Sequence, residues 1–387
     1  MAQLTLTLPH SNKAYRFAVA ALFFLQGLCF ATWASRIPSI QQHLHLTDGA
    51  LGLILFALPA GSLVALPLSG WMVTRFGSRT VVTNALIVYA VLLAGLGLAQ
   101  NITQIICVLV MYGMAGNTAN IAMNTQAVGV EAMYGRKIMA SFHGLWSLAG
   151  FTAAGIGAYM IGKEIIPFTH FVFIAVPILL SMAVIFQYLL PNEERTEVSN
   201  KLFTMPDKSL AALGVLAFCC MMCEGAMFDW SGIYFKKVVQ AESAWIGAGY
   251  TAFMCTMAAG RFIGDWVAMK LGFKRTIQLS GITITAGLST SLLFPYLLPA
   301  IIGFFLVGLG VSSVVPLVYS EAGRSKKMSP GVALAAVSSI GFLGFLVGPP
   351  VIGVLAGIAS LRLSFILIAL MGLGVAVLPI LIHRRTE

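Results

Sequence analysis

The chain has 387 residues, of which 59% are hydrophobic and only 9% are charged, and its mean hydropathy is +0.92. Soluble domains carry about 25% charged residues, so this composition excludes a soluble enzyme, a DNA-binding protein and a secreted disulfide scaffold. The formal net charge of +10 then reflects the placement of basic loops rather than a nucleic-acid partner. An integral membrane protein is the class that fits.

Twelve apolar stretches follow one another along the chain, each long enough to cross a bilayer as a helix of about 20 residues. They lack the ~10-residue alternating segments of a transmembrane β-barrel, so the sequence predicts an all-α membrane protein. Span 1 is too long for the apolar region of a signal peptide. The predicted spans 1 to 12 cover residues 14–36, 49–73, 80–99, 103–130, 138–162, 167–190, 210–235, 243–269, 274–295, 297–320, 331–357 and 360–383.

Basic residues are concentrated in alternate loops. With both termini on the cytoplasmic side, 17 of the 23 Lys and Arg residues are cytoplasmic, five are on the outer side, and Arg261 lies within a span. The positive-inside rule therefore predicts an even number of spans and two cytoplasmic termini. All six cysteines lie within predicted spans, so they do not indicate a disulfide framework.

The second half of the sequence repeats features of the first. Residues 69–79, between spans 2 and 3, correspond to residues 264–274, between spans 8 and 9. Residues 147–151 of span 5 correspond to residues 338–342 of span 11. We therefore predict an N-terminal six-helix bundle (1–190), a cytoplasmic linker (191–209) and a C-terminal six-helix bundle (210–387). Parallel halves around a central site are an architecture of transporters.

The paired basic loops resemble the signature of the major facilitator superfamily, G-x-x-x-D-R-x-G-R-[RK]. Thr74 and Met269 stand where the signature has Asp, which leaves Asp265 as a candidate substitute in the second half. The resemblance implies the twelve-helix fold of that superfamily, with its gating loops between spans 2 and 3 and between spans 8 and 9. The loop residues assigned to gating are Gly70, Arg75, Gly77, Arg79, Arg261, Asp265, Lys270 and Gly272.

Residues 120–131, 141–147 and 224–231 resemble the bacterial YbjJ-type branch of that superfamily, which is related to fucose permease and to MosC. This resemblance implies a monomer of the bacterial inner membrane that moves sugars or sugar-like polyols with protons. It implies no enzymatic activity and no cofactor. The expected partners are a small-molecule substrate, protons and the lipid bilayer, and not nucleic acid.

Ionisable residues within a membrane usually mark a pathway. Glu224 lies deep in span 7 with no basic residue within two turns of the same helix, so we interpret it as a proton-coupling group. A protonated Glu bonded to a neighbouring helix is the structural alternative. Asp229, nearer the outer surface, is a second candidate for proton coupling or gating and a possible partner of Arg36.

Span 4 carries a polar stripe formed by Asn117, Asn120, Asn124 and Glu131, which fall within about 60° of one another on a helix. Amides offer both donors and acceptors, which suits a hydroxyl-rich solute, so the three asparagines are predicted to bind substrate. Contacts between helices would explain them equally well. Glu131 precedes Arg136 and Lys137, which predicts a salt bridge, with a proton relay as its other possible role.

Further polar and aromatic residues are candidates for substrate binding. Gln26 and Trp33 share one face of span 1, although Trp33 could instead anchor the helix at the membrane interface. His143, Trp146 and Ser147 lie in span 5, where a histidine packed in the core is the alternative. In span 8, Arg261 and Asp265 are four residues apart, a spacing that predicts mutual neutralisation.

The energy source and the direction of transport are separate questions. No Gly-x-x-x-x-Gly-Lys-Ser/Thr sequence occurs, so ATP is not the direct energy source. No H-E-x-x-H spacing for a metal occurs. We therefore favour a proton-coupled symporter, with a proton-coupled exporter of drugs or metabolites as the alternative. A non-transporting sensor on the same fold is a third reading.

Overall fold

The computed structural model describes residues 10–134, 138–191, 208–322 and 330–383. The first half contains seven helices: α1 (Asn12–His43), α2 (Asp48–Leu55), α3 (Ala57–Phe76), α4 (Ser78–Leu96), α5 (Ile102–Tyr134), α6 (Met139–Gly162) and α7 (Pro167–Ile185). The second half contains six: α8 (Lys208–Lys237), α9 (Ala248–Leu293), α10 (Leu297–Val311), α11 (Val314–Ala322), α12 (Pro330–Ile358) and α13 (Leu361–His383). Most of the predicted linker, residues 192–207, lies outside the described residues.

The twelve predicted spans are confirmed. Within the described residues, ten helices or helix pairs are long and apolar enough to cross a membrane. The long helix α9 supplies spans 8 and 9, which are joined through Gly272, a residue with non-helical φ and ψ. The protein is therefore an all-α membrane protein with twelve transmembrane helices.

Two spans are broken near their middle, and proline explains both breaks. Span 2 divides into α2 and α3 at Phe56, and span 10 divides into α10 and α11 at Ser312 and Ser313. Proline has no N–H to donate to the carbonyl four residues earlier, so Pro59 leaves Leu55 without its helical bond and Pro316 does the same to Ser312. By contrast, α12 continues through Pro349 and Pro350.

The two halves pack in the same way. In the first half α1 packs on α6 and α3 on α5, and in the second α8 packs on α12 and α9 on α10. At the α3–α5 contact, a Cβ atom on Gly113 would overlap the carbonyl oxygen of Leu58, and at the α9–α10 contact one on Gly308 would overlap that of Phe253. Both members of the second pair lie 195 residues after those of the first. The repeat seen in the sequence is thus a repeat of backbone packing.

The halves meet most closely at the end of the bundle that carries Asp48, which we call the closed end. There Lys237 Nζ lies 2.6 Å from Asp48 Oδ1. A Cβ atom on Gly52 of α2 would lie 2.7 Å from Gly353 Cα of α12. The described contacts between α6 and α9 run from this end to the level of Gly144. Toward the opposite end, a Cβ atom placed on Gly70, Gly77 or Gly272 meets no atom within 4 Å, so at these described glycines the halves are apart.

Candidate functional site

A partly buried ion pair lies between α8 and α9, near the level at which the halves separate. Arg261 Nη2 is 3.3 Å from Glu224 Oε1, and the two side chains are 22% and 9% exposed. No basic residue lies near Glu224 on its own helix, but a neighbouring helix supplies a cation that the spacing within α8 could not reveal. A buried carboxylate needs such compensation, since isolated charges are costly in an apolar surrounding.

Arg261 also connects the second half to the first. Its Nη1 donates a hydrogen bond to Ser147 Oγ over 2.7 Å, and its guanidinium carbon lies 5.8 Å from the centre of the Trp146 ring. Arg261 Nε is buried and has no hydrogen-bond partner in the part of the chain that the structure describes. The side chain of Asp265 lies outside the described residues, and the charge of Arg261 is directed at Glu224.

Aromatic rings surround this ion pair and fix Trp146. The indole N–H of Trp146 donates to Gln26 Oε1, and the ring lies 5.9 Å from that of Phe30 and 6.5 Å from that of Phe228. Phe228 also packs edge-on against Tyr250 at 6.3 Å. Phe30, Phe228 and Tyr250 were not recognisable as site residues from the sequence, because aromatic residues in an apolar span carry no polar signal. The i+4 spacing of Phe228 from Glu224 was the available clue.

The asparagine stripe of α5 is half-buried, and its members differ in their partners. Asn124 Nδ2 donates within its own helix to the carbonyl oxygen of Asn120 over 2.8 Å. Asn117 Nδ2 is buried and has no partner within the described ranges. Asn117 therefore has a donor available to a bound molecule, whereas the donor of Asn124 is already in use.

Glu131, at the end of the stripe, caps a helix. Its Oε2 accepts hydrogen bonds from the backbone N–H groups of Ile138 and Met139, at 2.7 and 2.8 Å. These groups begin α6, where unsatisfied N–H donors attract negative charge. Arg136 and Lys137, its predicted partners, lie outside the described residues. The observed contacts indicate a structural role for Glu131.

Toward the closed end, Arg36 and Asp229 have different surroundings. Arg36 is 2% exposed, and it donates to His170 Nδ1 at 3.1 Å and to the carbonyl oxygen of Ile165 at 2.7 Å. Its described hydrogen bonds therefore lead to α7, to the loop before it and to Ser39 of its own helix, and not to Asp229. Asp229 interacts electrostatically with Tyr250. Trp33 is 2% exposed, and its indole N–H is without a partner among the described residues.

His143 is exposed, one turn before Ser147 on α6. Its ring packs edge-on against Phe23 of α1, with 5.1 Å between centres, and it interacts electrostatically with Arg261. His143 thus lies beside the ion pair on the side where the halves separate. The described residues contain no group of three or more His, Cys, Asp or Glu side chains that could hold a metal ion.

The predicted gating loops are tight turns with the same backbone. Gly77 has φ +80° and ψ +147°, and Gly272 has φ +76° and ψ +162°. Arg79 donates from Nε to the carbonyl oxygen of Phe186 over 3.0 Å, while Lys270 Nζ lies 4.1 Å from the centre of the Trp266 ring. Arg75 and Gly70 are exposed, and the side chain of Thr74 lies outside the described residues.

The chain is similar to known proteins in both sequence and fold. The model of the Major Facilitator Superfamily matches residues 19–329. The chain is 31% identical to "Membrane protein MosC" of Rhizobium meliloti, over 97% of this chain and 93% of that protein. Its fold is similar to the crystal structure of nucleoside transporter NupG, with a TM-score of 0.75, 12% identity, and coverage of 95% of this chain and 99% of that one.

A bacterial homolog of the human lysosomal transporter Spinster, solved in an inward-facing and unoccupied conformation, has a similar fold as well. The TM-score is 0.72 and the identity 13%, over 96% of this chain and 97% of that chain. At this identity the likeness concerns the fold alone.

Proposed function

Because this chain belongs to the major facilitator superfamily, it is a multi-pass secondary transporter and not an enzyme, and we propose that it carries a small polar solute together with protons. The solute we propose is a sugar, cyclitol or similar polyol. The resemblance of residues 120–131, 141–147 and 224–231 to the YbjJ-type branch supports this substrate class. The observation that carries the proposal is the Glu224–Arg261 ion pair, held where the two halves meet.

Glu224 is the proton-coupling group in this proposal. A coupling carboxylate has to exchange its proton with water on each side in turn, and substrate binding has to change its affinity for that proton. Arg261 provides the link, because it holds Glu224 with Nη2 and Ser147 of the first half with Nη1. A movement between the halves therefore alters the surroundings of Glu224. Asp229 and Glu131 are the remaining candidates.

The buried hydrogen-bond donors of α1, α5 and α9 favour a solute with hydroxyl groups over a lipophilic drug. Buried donors without a partner are costly, and those without one among the described residues include Asn117 Nδ2 of α5, Trp33 Nε1 of α1 and Tyr250 Oη of α9. A bound solute that accepts hydrogen bonds from these groups removes that cost. Gln26, Asn120, His143 and Trp146 complete the substrate-binding residues that we propose.

The end at which the halves separate is cytoplasmic in this proposal. Its turns at Gly77 and Gly272 carry Arg75, Arg79 and Lys270, and basic loops remain on the cytoplasmic side. Both termini then lie in the cytoplasm. A reporter enzyme that is active only in the cytoplasm, fused after residue 387, should be active, and an inactive fusion would reverse the assignment.

Transport in proteoliposomes tests the role of Glu224. A thermal-shift screen of sugars and cyclitols first identifies a solute, since a ligand at 100 times its dissociation constant stabilises by about 2.7 kcal/mol. Glu224→Gln cannot release a proton, so it should retain exchange of this solute but lose uptake driven by a pH gradient. Glu242→Gln, at an exposed position, is the matched control and should retain both.

Four other results would change the proposal. Proton-driven accumulation by Glu224→Gln would place coupling elsewhere. Loss of exchange and accumulation in proportion to folded protein would make Glu224 structural. Shifts with lipophilic cations and none with polyols would favour an exporter, and binding without counterflow would indicate a sensor.

A further inference from the structure

Resting on the proposed function, we infer a substrate class for the same site: the solute is a polyhydroxy carboxylic acid, whose carboxylate replaces Glu224 on Arg261. Glu224 takes up a proton as it is displaced. The juxtaposition that carries this inference is the Arg261 guanidinium, which Glu224 contacts through one long bond and whose Nε has no partner among the described residues.

The guanidinium of Arg261 is incompletely used. Arginine presents N–H groups in a planar fork that matches a carboxylate through two parallel hydrogen bonds. Glu224 makes only one described contact with it, from Oε1 to Nη2 at 3.3 Å, while Nε is buried without a partner among the described residues. A carboxylate bound through Nε and Nη2 together would satisfy both groups, and it would have to take the place of Glu224.

The surroundings of Arg261 resemble a recognition site more than a structural ion pair. The Trp146 ring supports the guanidinium, and Gln26 fixes that ring by accepting its N–H. Ser147 holds Nη1 at 2.7 Å, so the fork is oriented even when Glu224 leaves. Such prior orientation lowers the cost of binding. The unpaired donors of Asn117, Trp33 and Tyr250 then serve the hydroxyl groups of the same solute.

Charge balance makes the proton obligatory. Arg261 and Glu224 together are neutral, so an added carboxylate leaves one uncompensated negative charge in the site. Burying an unpaired charge is costly. Protonation of Glu224 from the surrounding water restores neutrality, with Arg261 paired to the substrate and Glu224 neutral. One proton therefore accompanies each monocarboxylate, and the net charge moved across the membrane is zero.

The titratable groups that the structure describes near this pair do not supply that proton balance, and the side chain of Asp265, one turn after Arg261, lies outside the described residues. Cys220 and Cys223 of α8, Tyr319 of α11 and Arg261 of α9 interact electrostatically with Glu224, and His143 of α6 interacts with Arg261. The cysteines and the tyrosine are neutral acids at physiological pH. His143 is the described histidine beside this pair, so a His143→Gln variant belongs in the test.

The binding experiment compares D-gluconate with D-glucitol and D-galactonate with D-galactitol, pairs that differ in a carboxylate against a hydroxymethyl group. We expect larger thermal shifts with the acids than with the alditols at the same concentration. Acid binding should weaken by up to about tenfold per pH unit above the titration of Glu224, as one coupled proton requires. Glu224→Gln should bind the acid with little dependence on pH, and His143→Gln should keep the wild-type dependence.

Loss of the fork should remove the preference for the acid. Arg261→Gln leaves Glu224 without its cation and so risks misfolding, and the double variant Glu224→Gln with Arg261→Gln avoids that problem. We expect the double variant to bind D-gluconate at least about tenfold more weakly than Glu224→Gln does, because a charged hydrogen-bond pair is lost. Equal affinities would overturn the assignment of Arg261.

Transport measurements independently test the proton coupling and the net charge that is moved. Accumulation of radiolabelled D-gluconate should follow a pH gradient and be unaffected by a potassium diffusion potential, whereas a neutral solute carried with a proton would respond to both. Binding of the alditols with no binding of the acids would overturn this inference and leave the proposed polyol transport standing. No binding by either class would count against both, and acid uptake driven by the membrane potential would contradict the charge balance.

Discussion

At the scale of single residues, variants of the asparagine stripe of α5 can distinguish a role in solute binding from a role in contacts between helices. Asn117 has a buried, unpaired amide donor, whereas Asn124 donates to Asn120 of its own helix. We expect Asn117→Ala to weaken solute binding by about 0.5–1.5 kcal/mol, the value of one hydrogen bond, with unchanged folding. Asn124→Ala is the matched control and should change affinity less. The measurement is the dissociation constant in detergent, normalised to folded protein.

If Asn124→Ala weakens solute binding more than Asn117→Ala does, Asn124 lies in the binding site. If both variants lower the yield of folded protein while the remaining molecules bind normally, the stripe belongs to the contacts between helices. The sequence alone could not separate these cases, because all three asparagines share one helix face.

The ion pair shows the limit of residue-level prediction. Glu224 was recognisable from its depth in an apolar helix, but Arg261 was assigned to Asp265, four residues along the same helix. Its described partner, Glu224, lies 37 residues away in sequence. Spacing within one helix is visible in a sequence, whereas contacts between helices depend on how each helix is rotated against its neighbours. Arg36 and His170, 134 residues apart, illustrate the same limit.

At the scale of elements, the two turns between transmembrane helices need a glycine because of their backbone angles. Gly77 and Gly272 both combine positive φ with extended ψ, a region that is almost restricted to glycine, where a side chain costs about 1–3 kcal/mol. No atom lies within 4 Å of a Cβ placed on either residue. Strain of the backbone, and not lack of space, should therefore decide the effect of a substitution.

We expect Gly77→Ala and Gly272→Ala each to lower the midpoint of thermal unfolding. Gly70→Ala is the control, because this residue lies within α3, has no atom within 4 Å of its Cβ and should gain helix propensity. Its unfolding midpoint should stay unchanged or rise. Scanning fluorimetry of the purified proteins measures all three, and equal midpoints for the three variants would contradict the role of the backbone angle.

The element boundaries show which features a sequence can supply. Apolar length located all twelve spans, and the matched turns revealed the internal repeat. The breaks at Phe56 and Ser312 were missed although Pro59 and Pro316 mark them. Whether a proline interrupts a helix depends on the compensation available nearby, as the continuous course of α12 through Pro349 and Pro350 shows.

At the scale of the whole molecule, two kinds of contact hold the closed end. The Lys237–Asp48 ion pair has a lysine side chain that is 42% exposed, and exposed pairs contribute about 0–1 kcal/mol. The α2–α12 contact brings two backbones together at Gly52 and Gly353, where small residues permit close packing. The glycine contact should therefore dominate closure, and Asp48→Asn should have a small effect.

Gly353→Ala tests this directly. Its Cβ would lie 2.6 Å from Gly52 Cα and 2.7 Å from the carbonyl oxygen of Asp48, so backbone has to move and the halves should part at the closed end. Gly357→Ala is the matched control one turn later, because its Cβ would meet Gly49 N at an ordinary 3.6 Å. Each 1.4 kcal/mol of clash changes the ratio of open to closed molecules about tenfold.

Pulsed electron resonance between spin labels at the closed end can measure that ratio. Labels at His45→Cys and Ala359→Cys occupy exposed positions in different halves, in a background where the exposed Cys107 and Cys255 are replaced by Ser. Gly353→Ala should add a population at longer distance, whereas Gly357→Ala and Asp48→Asn should retain the wild-type distribution. An unchanged distribution in Gly353→Ala would show that the glycine contact does not determine closure, and a shift in Asp48→Asn would assign it to the ion pair.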